Sequence, residues 1–125
     1  MSKTKPRRDD EREERIENEI VVDCCDQYER AMGWHCYLTD QLQFPFTAIC
    51  VAKRSTSPLR VKDEVEVIGI ADQDECEREM LVTMPWEKDG LAVPLAQLKP
   101  IEETDEETRQ AVEDWLYWVN MGYEF

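Results

Sequence analysis

Pro45, set between Phe44 and Phe46, divides this 125-residue chain into two hydrophobic periodicities. A proline pushes the residue before it out of the α region, so a helix arriving from the N-terminal side must stop by Phe44. Before that point the pattern is helical. From about Asp9 to Leu42, Ile16, Ile20, Cys24, Tyr28 and Met32 recur every four residues, a spacing that places them on one helical face. The β-branched cluster Ile20-Val21-Val22 and the internal Gly33 predict a break near residues 22–26 or at Gly33. Two helices result, the second turning Trp34, Tyr37, Leu38 and Leu42 toward the core. Asp9, Asp10, Glu11, Glu13 and Glu14 crowd the first turns, where the helix dipole favours negative charge.

After Pro45 the period changes to two. Thr47 to Ala52 is a short apolar run, and Ser55-Thr56-Ser57-Pro58 is a loop. Val65 and Val67 alternate with Glu64 and Glu66, the pattern of a half-buried strand running to Ile70. Met80, Val82 and Met84 alternate with Leu81 and Thr83, and the Asp89-Gly90 turn signal predicts a hairpin between 80–84 and 91–95. Pro94 has no N–H and belongs on an edge or a bulge. Leu98 to Ile101 closes the strand region. A last helix follows, with Thr104 and Glu107 spaced as a capping box and Val112, Trp115, Leu116 and Val119 as its apolar face. Gly122 suits its left-handed C-terminal position. The expected fold is α+β: N-terminal helices, a small antiparallel SH3-like sheet or barrel, and a C-terminal helix. Residues 1–8, with Lys3, Lys5, Arg7, Arg8 and no acid, read as a flexible basic tail, and 9–125 as a single domain.

Charge narrows the function. The chain has 29 acidic and 15 basic residues, a net charge of −14. Nucleic-acid binders neutralise phosphates with Lys and Arg, so this balance excludes a general nucleic-acid binder and argues against docking on an anionic membrane. A hydrophobic fraction of 42% supplies more core than a disordered acidic tail would have. No apolar run approaches the roughly 20 residues of a membrane span, and no apolar stretch follows the basic N-terminus as a secretory signal requires. The expected setting is the cytoplasm, with a monomer kept soluble by its charge. The five cysteines, Cys24, Cys25, Cys36, Cys50 and Cys76, then read as reduced thiols.

Carboxylates are the preferred ligands of hard divalent ions. The stretch from Asp72 to Glu79 packs Asp72, Asp74, Glu75, Glu77 and Glu79 between two strands, where like charges repel unless solvated or bridged by a cation. It is not an EF-hand: with Asp72 first and Asp74 third, the fifth position is Cys76, the sixth Glu77 in place of Gly, and the twelfth Thr83 in place of Glu. Cys24, Cys25, His35 and Cys36 are zinc-ligand types, but their spacing fits no finger or ribbon. His35 and Cys36 are adjacent on a helix and diverge, so they make no Cys–His catalytic pair. No GxSxG, P-loop or GxGxxG occurs, and the reading is of a non-enzyme. An acidic face with Trp34, Trp86, Trp115 or Trp118 as anchors could instead dock a basic protein partner.

The strings Glu29-Arg30-Ala31-Met32-Gly33-Trp34, Leu42-Gln43-Phe44-Pro45-Phe46, Ser57-Pro58-Leu59 and Asp74-Glu75-Cys76-Glu77 resemble those of the CcbP-like calcium-binding proteins of cyanobacteria and other bacteria. So do Leu91-Ala92-Val93-Pro94-Leu95 and Asp114-Trp115-Leu116-Tyr117-Trp118-Val119. The resemblance runs from about residue 13 to the C-terminus. It implies a small acidic α+β calcium-binding protein without EF-hands, a buffer or a signalling protein. It points to Asp40, at the end of the second helix, for the stronger Ca²⁺ site. Asp72, Asp74, Glu75 and Glu77 are the next candidates and Asp23, at the helix break, the third. The physical reading agrees: a helix ending before Pro45 leaves carbonyls free and disfavours an acid at its C-terminus, and a cation at Asp40 would relieve both. Backbone carbonyls and waters are expected to complete the shell. The rival expectation is an acidic interaction module on the SH3-like barrel.

Overall fold

The computed structural model describes residues 8–22, 26–54, 57–85, 90–123 and 125. Helix α1 spans Asp10–Arg15 and continues as a π-helical turn, Ile16–Ile20. The Asp9 side chain caps α1 by accepting the Arg12 N–H at 3.0 Å. Helix α2 spans Gln27–Gln41, capped by Asp26, which accepts the Glu29 N–H at 2.8 Å. The break therefore falls in the 22–26 interval, and Gly33 lies inside α2. The every-four face is corrected accordingly. Ile16 and Ile20 are buried, whereas Tyr28 is 59% exposed, because the chain turns at Val21–Val22 and α2 restarts in a new register. Cys24, on that face, lies outside the described residues. From α2, Trp34, Leu38 and Leu42 are buried as expected.

Strands β1 (Phe46–Cys50), β2 (Glu64–Val67), β3 (Gly69–Ile70), β4 (Leu81–Met84), β5 (Leu91–Pro94) and β6 (Leu98–Pro100) follow. Among the described residues they form two three-stranded antiparallel sheets, ordered β2-β1-β6 and β3-β4-β5. The sheets join at corners. β2 runs into β3 through Ile68, whose N–H reaches Thr83 O at 2.9 Å, and β5 leads to β6 through a 3-10 turn, Leu95–Gln97. Val65 and Val67 are buried while Glu64 and Glu66 face out. In the hairpin, Leu81 pairs with Pro94 and Met84 with Leu91, and β5 is an edge strand where the missing Pro94 N–H costs no ladder bond. Gly90 takes φ +76° at the start of β5; the rest of the turn, with Trp86, lies outside the described residues.

Helix α3 spans Glu106–Asn120. Its cap is Asp105 and not Thr104: Asp105 Oδ2 accepts the Thr108 N–H at 2.9 Å. Glu107 is drawn away from a capping box by Gln43 Nε2 at 3.1 Å, and Thr108 Oγ1 accepts the Gln43 N–H at 2.9 Å. The buried face is also rotated from expectation. Ala111, Val112, Trp115 and Trp118 are buried, Leu116 and Val119 only half so, and Asp114 is fully buried. Gly122, at φ +82°, ends the helix, with the Gly122 N–H on Val119 O and the Tyr123 N–H on Trp118 O. Trp34 knits α2 to α3, its ring 5.0 Å from Trp115 and 5.6 Å from Trp118. Burial of each such side chain stabilises the fold by roughly 1.5–3 kcal/mol. No helix among the described residues is long and apolar enough to cross a membrane.

Candidate metal centre

Leu42 leaves α2 in an extended conformation, φ −75° and ψ 127°, so the helix stops three residues before Pro45. Asp40 thus sits in the last turn of α2, exposed, where the dipole opposes a negative charge. A cavity of about 320 Å³ opens beside it, lined by Gly33, Cys36, Tyr37, Asp40 and Gln41 of α2 and by Glu19 and Ile20 of the π-helical turn. Glu19 and Ile20 end their own helical segment. The cleft therefore receives two helix C-termini and two carboxylates. Each C-terminus carries partial negative charge and leaves its last carbonyls without intrahelical partners. This is an environment for a hard cation. Glu19 was not among the sequence candidates: its place opposite Asp40 depends on how the two helices cross.

The acidic segment is built differently. Its centre is a 3-10 turn, Gln73–Cys76, with Cys76 buried and the rest of the turn facing solvent. Cys76 Sγ accepts the Leu81 N–H at 3.4 Å, and burial pushes its thiol pKa up. Asp72, Asp74, Glu75 and Glu77 are exposed and have no ion pair among the described residues; Glu79 is held by Arg54 at 2.7 Å. His35 joins this segment to α2 by donating from Nε2 to Ala71 O at 2.8 Å. That bond commits His35 away from Cys36, which is exposed and lines the Asp40 cleft. The structure thus places Asp40 at one locality and the 72–77 acids at another. Asp23, Cys24 and Cys25 lie outside the described residues. Among the described residues no three His, Cys, Asp or Glu side chains converge on a metal-sized point. A cation at either place would draw on main-chain oxygens and water as well as carboxylate.

Sequence reasoning missed the most heavily engaged acid. Asp114 is fully buried, takes Arg15 Nη2 at 2.7 Å and Nε at 3.0 Å, and lies 3.5 Å from Arg12 Nε. Tyr37 donates its hydroxyl to Asp114 at 2.8 Å. Burial, then that bond, lifts the Tyr37 pKa to about 12. Beside this network Glu13 accepts the hydroxyls of Tyr117 at 2.6 Å and Tyr123 at 2.7 Å. The signal was present: Asp114 interrupts an apolar helix face, and a charge there needs a partner. Its partners lie far away in sequence, Arg15 by 99 positions and Tyr37 by 77, and gave no local cue.

Fold and charge together define a small acidic α+β protein with cation-attracting carboxylates and no EF-hand. A family model described as calcium binding, the CcbP family, matches residues 14–119, and the chain belongs to that family. Ca²⁺ is the family's ligand, and calcium binding defines the family. The solved structure of CcbP from Anabaena is 41% identical, with a TM-score of 0.83 over 96% of this chain and 98% of that one. A calcium-binding protein solved in its calcium-binding form is also 41% identical, with a TM-score of 0.82 over 94% of this chain and 96% of that one. Comparison with curated proteins gives no match.

Proposed function

We propose that this protein binds Ca²⁺ in the cytoplasm as a monomeric buffer or sensor, with its tighter site in the Asp40 cleft. The observation that carries the reading is that Asp40 and Glu19 line one cleft where two helical segments end. Carboxylate, free carbonyls and water make the oxygen set that Ca²⁺ takes, in flexible geometry at six to eight ligands. Mg²⁺ demands a tight octahedron and sheds water reluctantly, so the same cleft favours Ca²⁺. The exposed acids Asp72, Asp74, Glu75 and Glu77 serve a second, weaker site. Asp23 remains a third candidate.

Calorimetric titration of the metal-free chain with Ca²⁺ and with Mg²⁺ tests this. Heat is expected with Ca²⁺, and no heat with either ion at micromolar sensitivity sinks the reading. Asp40→Asn and Glu19→Gln should each weaken the tighter site about tenfold or more, roughly 1.4 kcal/mol per decade. Unchanged affinity in both moves the site elsewhere.

A second reading, an acidic docking module, has its own observation. Ile49 and Ile68 are 38% and 45% exposed on the outer side of β1 and at the β2–β3 corner, beside Glu64 and Glu66. It differs in predicting a basic partner retained equally well in chelator.

A further inference from the structure

A cavity of about 370 Å³ lies between the C-terminal end of α3 and the segments at Arg54 and Arg78. Its walls are mixed, polar groups alternating with the edges of four aromatic rings, of which Trp115 and Trp118 are nearly buried. Trp115, Trp118, Tyr123 and Phe125 line it, paired as Trp118 with Tyr123 at 5.2 Å and Trp115 with Phe125 at 5.8 Å between ring centres. Its rim is cationic, which is unexpected in a chain of net charge −14. Arg54 Nη1 donates to both oxygens of Glu79, at 2.7 and 2.9 Å, and neutralises that acid. Arg54 Nε and Nη2 are left without hydrogen-bond partners among the described residues. Arg78 is exposed and has no ion pair or hydrogen bond among the described residues. Among the described side chains that line the cavity, two guanidiniums and one carboxylate leave one net positive charge, and Phe125 O on the same wall is taken by Arg30 Nη2.

We propose that this cavity is a binding site for a small planar aromatic carboxylate, its ring against Trp118 and Tyr123 and its carboxylate on Arg78 and Arg54. The size falls in the range of small-molecule pockets, which combine apolar walls with a few polar groups that fix orientation. A flat ring gains from offset or edge contacts with aromatic walls. A guanidinium fork matches a carboxylate in geometry as well as charge. The single net positive charge suits a monoanion; the acidic body of the protein repels polyanions such as nucleotides. The site is independent of the Ca²⁺ reading and stands or falls without it.

The probe is 1-naphthoate, titrated into the full chain and followed by the indole N–H signals of Trp115 and Trp118 in nuclear magnetic resonance. The neutral 1-naphthylmethanol and the cationic 1-naphthylmethylamine are the comparisons, each run in chelator and in excess Ca²⁺. Saturable shifts with naphthoate, at least about tenfold weaker with the alcohol and absent with the amine, support the site. Arg78→Ala should weaken naphthoate about tenfold and Arg78→Glu more, and Val119→Trp should fill the cavity and block it. Equal binding of acid and alcohol reduces the site to apolar contact and overturns the proposal. So does preference for the amine, dependence on Ca²⁺, or no shift up to about 10 mM. Arg78 is exposed and unpartnered, so its variants fold and leave the test readable.

Discussion

Asp114 and Asp40 lie on adjacent helices, and Tyr37 stands between them: its hydroxyl binds Asp114, and its ring lines the cleft that Asp40 borders. Around Asp114 the protein supplies two arginines and a tyrosine and excludes water. Around Asp40 it supplies a second acid and two helix C-termini and leaves the cleft open. The first arrangement cancels the charge of an acid; the second accumulates charge and does not cancel it. Acidity alone therefore says little about function in this chain. What separates a structural carboxylate from a ligand is whether the fold has already provided its cation.

The strongest way to break that contrast is to remove the cancelled charge. Asp114→Asn leaves Arg15 and Arg12 converging on a neutral amide, and breaking a buried pair costs about 3 kcal/mol or more. Urea unfolding should show the midpoint fall with unchanged slope. A loss below about 1 kcal/mol would mean that solvent reaches the pair and that the two acids differ less than their burial implies.

Alkaline pH attacks the same network from Tyr37. Its pKa is about 12 in the folded state against 10.0 for the free side chain, so the folded state holds the proton more tightly. The stabilisation is fully present below pH 10 and is lost as pH rises from about 10 to about 12, on the order of 2 kcal/mol. Tyr123, raised by its bond to Glu13, and Tyr117, raised by burial and then by Glu13, act in the same direction. Tyr37→Phe should cost about 1 kcal/mol at neutral pH and flatten the alkaline loss. A profile as steep as the parent's would assign the loss to Tyr117 and Tyr123.

The sequence showed most clearly what is decided locally. The Val65 and Val67 alternation, the edge position of Pro94 and the left-handed Gly122 each follow from a few neighbouring residues, and each appears as expected. Asp105 stands as cap in place of Thr104, its side chain on the Thr108 N–H, while the Thr108 hydroxyl takes the Gln43 N–H from 65 positions away, a contact no capping pattern carries. The pairing of Asp114 with Arg15 and the shared cleft of Glu19 and Asp40 are likewise products of how the helices pack. The place of Asp40 in the last turn of α2 was legible because helix ends are local: Pro45 requires a stop by Phe44, and α2 ends at Gln41. Asp40 as a ligand was singled out by the resemblance, with the opposing helix dipole as its physical argument.

Smaller changes sharpen the open side of the comparison. Gly33 lies inside α2 on the cleft wall. Gly33→Ala should stabilise the protein by about 1 kcal/mol through helix propensity. Weakened Ca²⁺ binding in that variant would show that the ion needs the space beside Asp40.

The smallest effect has the most informative sign. Without metal, Asp40→Asn removes an uncompensated charge from a helix C-terminus and should stabilise the chain by about 0.5 kcal/mol. With Ca²⁺ in excess the order should reverse, because an ion held only by the native state adds about 2.7 kcal/mol at one hundred times its dissociation constant. Thermal melts of both proteins in chelator and in Ca²⁺ give the four values required. A crossing of the two orders makes Asp40 an acid kept at a stability cost for a cation. If Asp40→Asn destabilises the metal-free protein instead, Asp40 already has a structural partner and belongs with Asp114.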